Sequence, residues 1–147
     1  KMQITARTWN EYIARLSKLN EKAGQQMAEY VAAKENIFRY QSAGDVAVFN
    51  LDNAITREQG SRAPGHVRYF SRREEPADGV FLRGEEIISR YDGWEQVIMT
   101  TEDIRLPGLH NVENMLTAIA AVWGLVPPEV IRHVANTFPI QFMSSFL

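Results

Sequence analysis

Apolar residues near the start of the chain recur at three- and four-residue spacing: Trp9, Tyr12, Ile13, Leu16 and Leu19. That stripe predicts an amphipathic helix, with Arg7, Glu11, Arg15 and Lys18 filling most of its other face. Thr8 is placed to cap the helix, and Glu11 three residues on completes a capping box. Gly24 interrupts the pattern, and a second stripe follows at Met27, Tyr30, Val31, Lys34, Ile37 and Phe38. Two helices meeting near Gly24 and one kinked helix both fit. Lys34 is the polar exception in an inward-looking stripe.

Past Gly44 the period changes. Asp45 to Leu51 is a nearly continuous apolar run, which predicts a strand buried on both faces and closed by Asp52-Asn53. Ala54 to Arg62 reads as a short helix ended by Pro64-Gly65, and His66 to Phe70 as a second strand. Ser71 to Gly79 is a charged loop. Val80–Leu82, Ile87–Tyr91 and Trp94–Met99 follow as hairpin strands, with Asp92-Gly93 a strong turn signal between the last two. Pro107-Gly108 turns the chain into a further helix, for which Asn111 is the expected N-cap and Glu113 suits the positive end of the dipole. Met115, Leu116, Ile119, Val122 and Trp123 form its apolar face, and Gly124 ends it. A last helix starts at Pro127-Pro128, carries Val130, Ile131, Val134 and Phe138, and stops at Pro139. The fold class is α/β: a short sheet and hairpins with flanking helices, preceded by a helical arm.

Composition narrows the class. A chain of 147 residues and 16.8 kDa fits one domain, and 45% hydrophobic with 23% charged residues is ordinary for a folded soluble protein. A net charge of −2 gives no reason to expect nucleic acid as a partner. The absence of cysteine excludes disulfides, thiolate metal sites and cysteine nucleophiles. Neither a signal-peptide core nor a membrane-length apolar run occurs, so the expected location is the cytoplasm.

Common catalytic signatures are missing. The three histidines, His66, His110 and His133, make no H-E-x-x-H pair. No G-x-S-x-G or G-x-G-x-x-G occurs, and no Gly-Lys pair for a phosphate-binding loop. Glu74-Glu75 and Glu85-Glu86 are adjacent carboxylates, whose side chains are expected to point apart or into water as solvated surface charge.

One string goes further. Leu106-Pro-Gly-Leu-His-Asn-Val-Glu-Asn-Met-Leu-Thr-Ala-Ile-Ala-Ala121 resembles the G-x-H-N-x-x-N-x-x-A-A signature of the Mur ligases, ATP-dependent amide-bond ligases of peptidoglycan synthesis. Glu29-Tyr-Val-Ala-Ala-Lys-Glu-Asn-Ile-Phe38 resembles the family's E-Y-x-x-A-K-x-x-I-F helix, and Asp45 to Asn53 its following strand and N-x-D-[DN] turn. Tyr69-Phe-Ser71 and Gly79-Val-Phe-Leu82 are closest to the D-glutamate-adding branch. The likeness covers residues 27–138, the second half of the family's central domain, and leaves 1–26 as a helical arm of unassigned origin and 139–147 as an unmatched tail.

The resemblance implies ATP and magnesium as cofactors. The family lysine matching Lys34 is carbamylated, which turns an ammonium into an oxygen-bearing anion suited to a hard cation. From the residues alone, Lys34 instead lays its stem along apolar neighbours with its ammonium in water. Asn111 and Asn114 match positions where the family's adenine docks, and amide side chains offer that edge both donor and acceptor. For Asn111 an N-cap, worth about 1 kcal/mol, is the competing role, and the two can coexist. His110 joins this nucleotide-binding set by ordering the helix opening. Trp123 and Met115 are expected in the core.

Three departures qualify the match. The family's G-T-[NK]-G-K-[ST] phosphate loop is not in this chain. Leu19-Asn-Glu-Lys-Ala-Gly24 stands where the family has a D-H-x-D-R-H-like stretch. Pro139 to Leu147 replaces an H-R-x-E segment and a third domain. The expectation is therefore a fragment or chimera of a ligase, inactive alone, with at most weak adenine-nucleotide binding. The alternative is a non-catalytic scaffold that forms a homo-oligomer through Trp9, Tyr12, Leu16 and Leu19.

Overall fold

The computed structural model describes residues 6–137, and the chain divides into two compact units between Arg39 and Tyr40. The first unit is α1, a single helix of 34 residues from Ala6 to Arg39. Two expectations are corrected here. Gly24 neither ends nor splits the helix, because the cost of one glycine, about 1 kcal/mol, is met by the good helix formers Ala23, Gln25, Gln26, Met27 and Ala28 around it. Thr8 is not the cap, since the helix has already begun at Ala6.

The second unit is built on a five-stranded sheet in the order β1-β2-β3-β4-β5. Its elements are β1 (Val46–Asn50), α2 (Ala54–Gly60), β2 (His66–Ser71), β3 (Gly79–Arg83), β4 (Glu86–Tyr91), β5 (Trp94–Thr100), a 3-10 turn (Thr101–Asp103), α3 (Leu109–Val122) and α4 (Pro128–Thr137). Strands β1, β2 and β3 run parallel, and β4 and β5 return antiparallel. α2 carries the chain back between β1 and β2. Asn53 starts it, accepting hydrogen bonds from the backbone N–H groups of Ile55 (2.9 Å) and Thr56 (3.3 Å), the usual asparagine N-cap.

β1 alternates rather than being buried on both faces. Ala47 and Phe49 are buried while Val46 is exposed, because β1 is an edge strand of the described sheet. The Asp92-Gly93 turn forms as its sequence predicts, with positive φ of 48° and 79°, the pair a tight two-residue hairpin needs.

The main core lies between the sheet and the two C-terminal helices. Phe70, Val80, Ile87, Ile98 and Met99 from the strands meet Val112, Leu116, Ile119 and Ala120 of α3 and Ile131 and Ala135 of α4. A register shift between Ile87 and Ile88 accommodates an extra residue in β5, so the successive residues Ile98 and Met99 both join this core. Met115 and Trp123 pack against it, partly buried. Arg68 of β2 donates to the carbonyls of Ala120 (3.1 Å) and Trp123 (3.2 Å), placing a cation at the negative end of α3. Among the described residues no helix is long and apolar enough to cross a membrane.

Candidate functional site

In open α/β sheets, ligands gather outside the carboxyl ends of the parallel strands. Here that edge carries a connected polar group. The buried Ser71 hydroxyl, at the end of β2, donates to Asp52 Oδ1 (2.6 Å) and accepts from the N–H groups of Arg73 (3.0 Å) and Glu74 (2.7 Å). Asp52 Oδ2 accepts the Arg72 N–H at 2.8 Å. The Arg72 guanidinium then reaches α3, its Nε donating to Glu113 Oε1 at 2.8 Å. Strand exit and helix opening are thereby joined through four side chains.

α3 opens at the Pro107-Gly108 turn. Gly108 has φ 107°, a backbone state that L side chains rarely adopt, and its carbonyl accepts from the N–H groups of Asn111 (3.1 Å) and Val112 (3.4 Å). The expected Asn111 cap is therefore corrected: the cap position is Gly108, and Asn111 lies inside the helix. Its side chain is buried and donates from Nδ2 to the Pro107 carbonyl at 2.7 Å. That bond ties down the turn and leaves Oδ1 as the acceptor.

Asn114 lies three residues further on, on the same helical face. Asn111 and Asn114 both line a groove of about 490 Å³ between α3 and α4, whose other walls include Leu106, Met115, Val122, Val126 and Val130. The structure thus brings together two of the three residues expected at the nucleotide. His110 is exposed and is not in the groove wall. Its ring lies against Gly108, where an added Cβ would stand 3.2 Å from Cε1.

Lys34 belongs to the helical unit. It is exposed, and its ammonium stands over the Tyr30 ring, 5.5 Å from the centroid. This contact favours the cation, and a carbamate would forfeit it. No group of three His, Asp or Glu suited to a metal occurs among the described residues.

A second charged network joins the β2–β3 loop to β3, β4 and β5. Arg83 pairs with Glu75 (2.6 Å) and Glu95 (3.0 Å), and Arg90 pairs with the same two carboxylates. Both guanidiniums cover the Phe81 ring, at 5.3 and 4.7 Å from its centroid. The hydrogen bond from Arg83, aided by Arg90, holds the Glu75 carboxyl down at about 2. Glu74 turns instead to Arg57, so this adjacent pair of carboxylates takes separate arginine partners rather than standing as solvated charge.

The polar group at the strand ends escaped the sequence reading, which gave Glu113 a role at the helix dipole but no partner. Asp52 and Ser71 stood inside recognised segments without a role. Asp52 and Ser71 are 19 residues apart and Arg72 and Glu113 are 41 apart, and no local pattern encodes such pairings.

Comparison with known proteins gives a consistent outcome. A model of the Mur ligase middle domain matches residues 22–122. The chain is similar to UDP-N-acetylmuramoylalanine--D-glutamate ligases. That of Acetivibrio thermocellus is 51% identical over 112 residues, 76% of this chain and 24% of the relative. The Symbiobacterium thermophilum enzyme is 43% identical over 115 residues, covering 76% and 25%. The Clostridium novyi enzyme is 43% identical over 112 residues, covering 76% and 24%. The chain spans about a quarter of the length of these relatives.

Proposed function

The chain belongs to the Mur ligase middle-domain family, and from that premise we propose that it supplies the adenine-docking part of an ATP-binding domain. The parent reaction on this reading is the ATP-driven addition of D-glutamate to UDP-N-acetylmuramoyl-L-alanine, carried out in the cytoplasm. The observation that supports it most is the pairing of Asn111 and Asn114 on one wall of the α3–α4 groove.

The groove suits a purine. Its apolar walls match the faces of the ring, and two amides supply a donor and acceptors for its edge. Asn111 is already oriented by its bond to Pro107, so less freedom is lost on binding. Bound ATP would supply the activated phosphoryl group. This polypeptide has no Gly-Lys phosphate loop, so its own residues hold the base and leave the phosphates in water. Affinity for the base alone is then millimolar, about −4 kcal/mol. Lys34 carries the resemblance to the metal-holding lysine, but no step is assigned to it, because its ammonium is engaged with Tyr30.

A two-dimensional amide NMR titration with adenosine tests this. The expected result is shifts concentrated at Asn111 to Asn114 and along the groove wall. Shifts scattered over the surface, or none at millimolar adenosine, would overturn it. With ATP, UDP-N-acetylmuramoyl-L-alanine and D-glutamate together, the isolated polypeptide is expected to release phosphate no faster than background.

A second reading, self-association through α1, is favoured by the exposure of Ile13, Leu16 and Leu19 on one helical stripe. Trp9 and Tyr12, also expected in that patch, have side chains outside those described. Sedimentation would show a mass that rises with concentration if the reading holds, and a constant monomer mass if it does not.

A further inference from the structure

The polar group at the carboxyl edge reaches the helix that carries the two asparagines through one link, Arg72 to Glu113. We propose that Arg72 and Glu113 are positioning residues: their ion pair clamps the opening turns of α3 to the end of β2 and so sets the direction of Asn111 and Asn114. The ligand side of this inference rests on the adenine reading above. The clamp itself rests on geometry alone.

Asp52 fixes the first residue beyond β2 by accepting the Arg72 N–H at 2.8 Å, and Ser71 fixes Asp52 from the other side at 2.6 Å. Arg72 therefore leaves the sheet from a backbone held by hydrogen bonds rather than from a free loop. Its side chain is about four-fifths covered, with 22% exposure against 31% for Glu113. A pair shielded to this degree is screened less than a surface ion pair, and a charge-assisted bond at 2.8 Å is among the stronger kinds. Glu113 sits immediately before Asn114 and two residues after Asn111, so rotation of this turn moves both amides together. No other side-chain hydrogen bond from the strand ends to α3 occurs among the described residues. The opening turn has no side-chain cap of its own, so this clamp and the Asn111–Pro107 bond are the side-chain polar anchors that add to the packing of Val112 and Leu116 in the core.

The test compares the unaltered chain with Glu113→Ala, Arg72→Ala and the conservative Arg72→Lys, measuring amide hydrogen exchange, thermal unfolding and adenosine affinity by NMR. In both alanine variants, exchange at Asn111 and Val112, whose N–H groups bond to Gly108, is expected to rise about tenfold relative to the β3–β4 amides. Adenosine affinity is expected to fall by a similar factor, and Arg72→Lys to recover part of both effects. Exchange at Asn111 and Val112 that rises no more than in the sheet would overturn the clamp, since it would reveal general destabilisation only. A local rise in exchange with unchanged adenosine affinity would overturn the positioning role. Absence of any adenosine shift in the unaltered chain would remove the adenine reading, and with it the positioning role, while the exchange result alone would decide the clamp.

Discussion

The sheet carries two charged networks that look alike on paper and differ in kind. At the carboxyl edge, Asp52, Ser71, Arg72 and Glu113 are largely covered, recruit backbone N–H groups and tie a strand to a helix. Across the β2–β3 loop and β3, β4 and β5, Glu75, Arg83, Arg90 and Glu95 pair mainly side chain to side chain over one aromatic ring. Glu75, Arg83 and Glu95 are exposed, and only Arg90 is as covered as Arg72. The number of ion pairs does not rank them. An exposed pair contributes little on its own, whereas a buried hydroxyl or carboxylate that loses its partner costs the full desolvation of what remains. The first network should therefore fail when any member is removed, and the second should fail only when the ring beneath it goes.

The largest expected effect attacks what the exposed network covers. Phe81 is fully buried, so Phe81→Ala should destabilise the chain by about 3–5 kcal/mol through lost burial and the cavity left behind. Urea denaturation would measure it, and a loss below about 1 kcal/mol would mean that the arginines refill the space.

Next comes Ser71→Ala, a smaller change in volume at a fully buried position. It removes the donor to Asp52 and the acceptor for two backbone N–H groups, and about 2 kcal/mol should be lost. An unchanged urea midpoint would show that water satisfies all three groups and would erase the contrast between the networks.

The smallest effect belongs to Glu75→Gln, and it is visible as a pH dependence. In the folded chain the Glu75 carboxyl is held at about 2, against an ordinary value of 4.5. A depressed carboxylate stabilises the fold fully above pH 4.5, and that contribution is lost as pH falls toward 2. The unaltered chain should therefore lose melting temperature across this window more steeply than Glu75→Gln, with the difference shrinking in high salt. Parallel curves would remove the network from the account of acid stability.

The contrast also explains what was legible in the sequence. Local chemistry was readable: the Asp92-Gly93 hairpin, the strand and helix alternation from Val46 onward, and the apolar face of α3 follow from period and turn type. The opening of α3 was misread by a few residues. Asparagine is a good cap in isolation, but glycine at φ 107° let the helix begin earlier and turned Asn111 inward. Gly24 was overweighted for a similar reason, since one unfavourable residue cannot outvote a run of helix formers. The resemblance named Asn111 and Asn114, and the groove gathers both. Nothing local could pair Arg72 with Glu113, because that contact exists only once α3 has packed across the sheet. His110 carried the resemblance as strongly as its neighbours, yet it lies outside the groove wall because its ring covers Gly108.

The most direct test of the central claim, that this chain docks a base and leaves the phosphates unheld, is a comparison of two dissociation constants measured in the same NMR titration format. Adenosine and Mg-ATP are predicted to bind with the same millimolar constant and to shift the same residues, Asn111 to Asn114 among them. Mg-ATP binding tighter than adenosine by tenfold or more would mean that residues of this chain hold the phosphates, and would contradict the account.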